Sequence, residues 1–235
     1  MLTVINNEKI EPALYIVPTP IGNLEDITFR ALRILKNADI IACEDTRTSG
    51  KLFRLLGITP KKLIAYHDFN EKVQSEKLIA EIKNNKSVAL ITDAGTPGIS
   101  DPAYSVVQSA ISNNIKIVPL PGPTAFVPAL IASGLPVHNF TFLGFPPQKK
   151  GRKTFLENAS KIKSTIILYE SPHRIVKLAA ELIEFFGAGR QACFCREISK
   201  IFEEFIRGTL AECLDLLKNN IVIKGEFVVV ICGLS

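Results

Sequence analysis

The sequence predicts an α/β protein of two domains, the first built on a mostly parallel sheet and the second on a mixed one. Three observations carry that expectation. Short β-branched runs alternate with stretches of helical periodicity as far as Leu120, the pattern of parallel strands joined by crossover helices. Polar loops bearing Pro and Gly follow the strands, at the end where open parallel sheets present ligands. Late in the chain two strand-like runs are joined by only a short polar link, which demands antiparallel pairing. At 235 residues the chain is long for one ordinary domain and comfortable for two, with expected boundaries of 1–122 and 123–235.

Ala13 to Val17 reads as the first strand and runs into P-T-P-I-G-N-L-E-D-I-T, where two prolines and a glycine forbid regular structure. Thr28 then caps a helix with Ala31, Leu32 and Leu35 on one face, and Ile40 to Cys43 is the next strand. E-D-T-R-T-S-G-K reads as a second polar loop, followed by an apolar-periodic stretch to Leu56. Lys61 to Tyr66 is a short strand, His67 to Asn70 a loop, and Glu71 to Asn84 a helix with Val73, Leu78 and Ile82 inward. Ser87 to Ile91 has the composition of a buried central strand. It delivers T-D-A-G-T-P-G-I-S-D-P-A-Y, Thr92 to Tyr104, on which the chain centres. Asp101 is expected to cap the helix that follows, with Pro102 at its first position. Gly95 and Gly98 flank a fixed turn and let a ligand approach the backbone closely. Ile115 to Leu120 is a strand leading through P-G-P-T-A into a helix past Leu130 and Ile131, which Ser133-Gly134-Leu135-Pro136 breaks at an expected hinge.

The second set opens with the strand Phe140 to Phe145 and the basic loop P-P-Q-K-K-G-R-K, Pro146 to Lys153. A helix, the strand Thr165 to Tyr169 and a helix from Pro172 to Phe186 follow. Gln191 to Arg196 and Phe202 to Arg207 are the antiparallel neighbours; Thr209 caps a last helix, and Gly225 to Cys232 closes the chain as a strand.

Hydrophobic residues at 47% and charged residues at 22% leave no room for long disorder. No apolar run is long enough to span a membrane, and the start through Asn6, Asn7, Glu8 and Lys9 lacks the basic and apolar parts of a signal peptide, so a cytoplasmic protein is expected. The five cysteines contain no C-x-x-C pair and are odd in number, which favours reduced thiols and no metal site. Cys193 and Cys195, two apart in a strand, fall on one face as small core residues. G-x-x-x-x-G-K-[ST], G-x-G-x-x-G and G-x-S-x-G are all missing, which argues against P-loop, dinucleotide-binding and serine-hydrolase chemistry. His67-Asp68 lacks further histidines nearby and reads as a capped loop, while His173 near a helix start reads as a packing or capping group. A net charge of +5 is compatible with an anionic partner without demanding one.

P-T-P-I-G-N-L-E-D-I-T, E-D-T-R, T-D-A-G-T-P-G-I-S-D-P, P-G-P-T-A, Y-E-S-P-H-R, R-E-I-S-K and G-E-F-V follow one another from Val17 to Val228. In that order they resemble the tetrapyrrole-methylase superfamily and, within it, the ribosomal RNA small subunit methyltransferase I family. The resemblance implies two α/β domains with S-adenosylmethionine in the cleft between them and a homodimer. It also implies methylation of a cytidine ribose 2′-hydroxyl in the decoding region of small-subunit rRNA. It assigns cofactor contacts to Pro18, to Gly95, Thr96, Ile99 and Ser100, to Thr124 and Ala125, and to Tyr169 of the second domain. Thr96 stands where the tetrapyrrole-methylating branch has aspartate. Many members continue past G-E-F-V into a small helical segment, whereas this sequence stops at Ser235, which bears on RNA affinity or target choice.

A ribose hydroxyl is a poor nucleophile at neutral pH, so a carboxylate or a lysine of lowered pKa must accept its proton. The candidates are Glu44, Asp45, Asp93, Asp101 and Lys200. Against them stand plainer roles: Asp101 as helix cap, Asp45 as partner of Arg47, Lys200 as a phosphate contact. Lys149, Lys150, Arg152 and Lys153 are candidate rRNA contacts or else a solvated charge run. Arg196, held by Glu197, is a further RNA candidate or half of an ion pair, and Lys200 has no obvious partner in the sequence. Two other function classes share these features: a methyltransferase of a small tetrapyrrole-like metabolite, and a non-catalytic RNA-binding protein.

Overall fold

Five short strands form the first sheet of the computed structural model, which describes residues 9–219 and 222–234. The polar start at Asn6, Asn7 and Glu8 and the terminal Ser235 lie outside them. The strands are β1 (Leu14–Ile16), β2 (Ile40–Cys43), β3 (Leu63–Ala65), β4 (Val88–Leu90) and β5 (Ile117–Pro119), in the order β3-β2-β4-β1-β5 and all parallel. The helices are α1 (Phe29–Asn37), α2 (Thr46–Leu55), α3 (Glu71–Lys83) and α4 (Tyr104–Ser112). Alternation along the strands decides which helices cover which face. Tyr15, Ile41, Cys43 and Ala89 pack with Ala31, Ile34 and Leu35 of α1 and Phe53 of α2. Leu14, Ile16, Ala42, Val88 and Leu90 face the other way, onto Leu78 and Ile82 of α3 and Val106 and Ala110 of α4.

Two compact units divide the chain, one through Thr124 and one from Ala125 on. The second holds α5 (Phe126–Ala132), β6 (Phe140–Gly144), α6 (Arg152–Ser160), β7 (Thr165–Glu170), α7 (Ile175–Phe186), β8 (Gln191–Arg196), β9 (Glu204–Thr209), α8 (Leu210–Asn219) and β10 (Phe227–Ile231). Its sheet runs β6-β7-β10-β8-β9 and is mixed, with β6 and β7 parallel and the other pairs antiparallel. One face buries Ile166, Leu168, Phe194 and Val229 under Leu156 of α6, Leu178 and Leu182 of α7, and Cys213 and Leu217 of α8. The break at Ser133 to Pro136 therefore lies inside this unit, after a helix that packs on β10.

Several boundaries depart from the sequence reading for local reasons. Asp45 caps α2 by accepting from Arg47 N at 2.7 Å, so most of E-D-T-R-T-S-G-K is helix rather than loop. Val73 is 59% exposed, and Ser75 takes the inward position in α3 because its hydroxyl meets that of Tyr66 at 3.2 Å. Asp101 does not cap α4: Ala103 occupies the N-cap position without a side-chain bond, and Pro102 precedes the helix. α7 starts at Ile175 because Ser171 to Arg174 close a turn, Arg174 N donating to Ser171 O at 3.0 Å. Phe202, the expected first residue of its strand, is exposed in a turn with Ile201 before it, so β9 begins at Glu204. Thr28 and Thr209 cap as read, the latter reciprocally with Glu212.

Candidate active site

The connections of the first sheet fix where its open edge gapes. From β2 the chain leaves through α2 toward β3, whereas from adjacent β4 it leaves through α4 toward β5, on the other face and in the other direction. The carboxyl ends of β2 and β4 therefore flank the switch point, where an α/β sheet forms a crevice. Glu44 and Asp45 follow β2 there, and Thr92 and Asp93 follow β4.

Four candidate carboxylates meet at this place. The buried Thr92 hydroxyl donates to Glu44 Oε2 at 3.0 Å and also contacts the Asp101 carboxyl, while Thr19 Oγ1 donates to the Thr92 carbonyl at 3.1 Å. Asp45 N donates to Asp93 Oδ1 at 3.3 Å. Their environments push these carboxyls apart. Burial raises Asp101 to about 6 against the pull of the Thr92 hydroxyl, with the charges of Glu44, Asp93 and Asp68 adding to the rise. Asp93 is raised too, by burial first and then by the charges of Glu44 and Asp45. Asp45, bonded by the Arg47 guanidinium at 2.7 Å, is held down at about 2 and is a poor proton acceptor. Asp101 is therefore a stronger base than an ordinary carboxylate while still largely ionised near pH 7. Thr92 escaped the sequence reading. The signal was present, since two polar motifs that directly follow adjacent parallel strands must place their first residues side by side.

The loops that the resemblance assigns to a cofactor are knitted together beside this cluster. Thr19 and Gly95 exchange backbone hydrogen bonds at 2.9 and 3.0 Å, joining the loops after β1 and β4. Thr96 Oγ1 donates to Pro123 O at 2.8 Å, which brings in the loop after β5. Pro18 is buried against Gly122, where a Cβ would lie only 2.6 Å from the proline ring. Gly95 and Gly98 both have φ of +88°, and Ser100 has φ of +68°, so left-handed backbone turns the loop back on itself. Ile99 is half-buried and Ser100 exposed; Thr124 ends this unit. Ala125 and Tyr169 belong to the second unit, where Tyr169 stands among Phe142 at 5.0 Å and Phe145 at 5.4 Å between ring centres.

Three cationic candidates of the second unit are already engaged. Arg152 is 5% exposed and pairs with Glu181 at 2.7 Å and with the fully buried Glu170 at 3.3 Å, so it is a core ion and not a phosphate contact. Arg196 pairs with Glu204 at 3.2 Å and donates to Lys224 O at 2.9 Å; Glu197 is not its partner. Glu197 instead binds Lys200 Nζ at 2.8 Å and accepts from Glu226 N at 2.9 Å, and Lys200 also reaches Glu226 at 3.2 Å. Burial disfavours the Lys200 charge, but Glu197 and Glu226 outweigh it and raise the pKa, so Lys200 is no general base. Lys149, Lys150 and Lys153 remain exposed. Y-E-S-P-H-R supplies Glu170, which also binds Arg174 at 2.8 Å, and leaves His173 exposed. Cys193 and Cys195 are buried on one face with sulfurs 3.5 Å apart, as their spacing required.

Comparison with known proteins agrees with this architecture. Residues 13–214 match the tetrapyrrole (corrin/porphyrin) methylase family. A ribosomal RNA small subunit methyltransferase I from Halalkalibacterium halodurans is 48% identical over 94% of this chain and 75% of its own length. One from Hydrogenobaculum sp. is 45% identical over 93% and 94% respectively. Among solved structures, the methyltransferase CobJ superposes with a TM-score of 0.68 at 17% identity, covering 94% of each chain. Uroporphyrin-III C-methyltransferase of Thermus thermophilus complexed with S-adenosylhomocysteine does so at 0.62 and 19% identity, covering 93% of this chain and 96% of that one. At such identities the structural likeness speaks for the fold alone.

Proposed function

The chain belongs to the tetrapyrrole methylase family, in its ribosomal RNA small subunit methyltransferase I branch, and from that premise we propose that it methylates the 2′-oxygen of a cytidine ribose in small-subunit rRNA with S-adenosylmethionine. The observation that carries the reading is the 48% identity along 94% of the chain to a protein of that name, joined to a carboxylate crevice at the switch point of the sheet.

The residues present fit the cofactor by charge. S-adenosylmethionine carries a sulfonium and an ammonium, and the crevice offers Glu44 and Asp93, opposite charges that attract and orient it. Pro18, Gly95, Thr96, Ile99, Ser100 and Thr124 would hold it in the first unit, and Ala125 and Tyr169 in the second. The cofactor supplies an activated methyl group, so the chain's task is alignment, exclusion of water and removal of one proton. Asp101, raised to about 6, accepts the ribose proton; Thr92 orients Glu44 and Asp101 by one hydroxyl, and Glu44 can accept from a cytosine exocyclic amine. Lys149, Lys150 and Lys153 hold RNA phosphates. The working form is a homodimer and its substrate the small ribosomal subunit or its rRNA, which places the activity in the cytoplasm; among the described residues no helix is long and apolar enough to cross a membrane.

Incubation with methyl-labelled S-adenosylmethionine and small subunits lacking the modification tests the proposal. Label on a single cytidine 2′-oxygen is the expected result. Transfer to a tetrapyrrole but not to rRNA would replace the acceptor, and cofactor binding without any transfer would remove the catalytic reading.

A further inference from the structure

Two aromatic side chains at the crevice edge stand largely in solvent. Phe69, in the loop after β3, is 98% exposed, and Tyr104, the first residue of α4, is 76% exposed. Phe69 precedes the N-cap residue Asn70, where an apolar side chain normally staples onto the fourth helical residue. That residue is Gln74, and the ring stays in water. The loop that displays it is nevertheless firmly held. Asn70 Oδ1 accepts from His67 N at 3.0 Å, Asn70 Nδ2 donates to Ala65 O at 3.1 Å, and Asn70 N donates to His67 O at 2.9 Å. The His67 ring packs edge-on at 6.1 Å from Phe69. Val73, a turn further on, is 59% exposed and extends the apolar patch.

This loop is coupled to the crevice. Tyr66 N donates to Cys43 O at 2.7 Å beside Glu44, and the Tyr66 hydroxyl accepts from Val106 N at 3.3 Å, two residues beyond Tyr104. The Asp68 charge is felt at Asp101. The charge around the rings selects their occupant. Asp45 is paired with Arg47, but Glu44, Asp68, Asp93 and Asp101 together repel a phosphate, which favours a nucleic acid approaching with its uncharged bases inward and its backbone outward. Bases in that orientation meet aromatic faces, the mode by which unpaired nucleotides are held without sequence reading.

We propose that Phe69 and Tyr104 form a stacking platform for unpaired nucleobases of the RNA whose ribose enters the crevice. The proposal rests on the rRNA reading above and adds how the strand is presented: a flanking base stacks on each ring, which unstacks the target nucleotide and aims its ribose at Asp101.

The test compares parent, Phe69→Ala/Tyr104→Ala, Phe69→Trp and Phe69→Leu. With small subunits as substrate, the double variant raises KM about 10- to 100-fold and leaves S-adenosylmethionine affinity at the parent's value; Phe69→Trp keeps the parent's KM and Phe69→Leu does not. An unchanged KM, or Leu as good as Phe, overturns the platform. Fluorescence anisotropy with a short single-stranded RNA separates the two layers of the argument. If the parent binds this RNA without methylating rRNA, the function fails while the platform stands, provided that the double variant loses binding. Equal binding by parent and double variant overturns the platform alone. Sedimentation of both proteins without RNA covers the rival occupant, a second copy of the chain: a change in oligomeric state on removing the rings would assign the patch to that interface and overturn the proposal.

Discussion

Replacing Asp101 by Asn exchanges stability for activity, with a sign that depends on pH. The folded protein raises this carboxyl from 3.8 to about 6. Such a rise amounts to about 3 kcal/mol against the ionised form, and solvent screening at this partly open position reduces it to about 1–2 kcal/mol. Because the folded pKa lies above the unfolded one, the stability the group contributes is fully present below about pH 4 and is lost as pH rises through about 6. Asn mimics the protonated acid at every pH. The variant should therefore match the parent at pH 4 and exceed its unfolding free energy by about 1–2 kcal/mol at pH 8. Urea titrations of both proteins at the two pH values measure the double difference, from which shared effects such as those of Asp39 and Asp45, both held at about 2, cancel. In the same variant methyl transfer should fall by about 10²–10⁴-fold, and in the parent the rate should rise with pH through about 6. An equal stability change at pH 4 and pH 8, or a loss at pH 8, would refute the argument that burial and neighbouring charge strain this group.

Gly122→Ala places a Cβ 2.6 Å from the buried Pro18 ring, so the loop after β1 must move; calorimetry should show S-adenosylmethionine affinity reduced in a protein that still folds. Glu170→Leu leaves the buried Arg152 with one carboxylate, Glu181, beside the Pro147 carbonyl and should cost about 3 kcal/mol in urea unfolding, whereas Arg152→Met/Glu170→Leu should recover most of that loss. Gly225→Ala puts a methyl group into the Glu197 carboxyl at a φ of +86° and should cost about 2 kcal/mol, read as a lower melting temperature.

The fold was legible where a segment's own pattern decides it. Ile40 to Cys43 and Gln191 to Arg196 are apolar or alternating runs with clear ends, and the strands match them residue for residue. Thr28 and Thr209 were legible because capping is settled within four residues. What failed depends on partners distant in sequence. Asp101 directly precedes Pro102, a favoured first helical residue, and looks like a cap; only the adjacency of β2 and β4 turns it toward Thr92 and Glu44. Arg152 sits in a run of lysines and reads as surface until Glu170, at the end of β7, and Glu181, on α7, come together around it. Lys200 looked free because its partner Glu226 lies 26 residues on, and the nearer Glu197 seemed claimed by Arg196. The carboxylates were visible individually, but their unequal basicity arises from packing.

The same ion pairs change what the net charge of +5 means. Arg152, Arg174, Arg196 and Lys200 are neutralised within the second unit, and the crevice of the first is acidic. On the proposed function, attraction for RNA phosphate would fall on exposed cations, and Lys149, Lys150 and Lys153 lie close together in sequence among them. Each phosphate contact on a single strand contributes about 0.7 to the slope of log affinity against log salt. Lys149→Ala/Lys150→Ala/Lys153→Ala should therefore flatten that slope by about 2 and leave S-adenosylmethionine affinity unchanged. Arg152→Ala separates this reading from one that counts every cation in the run: it should lower stability by taking from the buried Glu170 one of its two arginines, Arg174 remaining, and leave the slope as it was. A triple variant with the parent's slope would return the loop to ordinary solvated surface, and a flatter slope in a folded Arg152→Ala protein would contradict its burial.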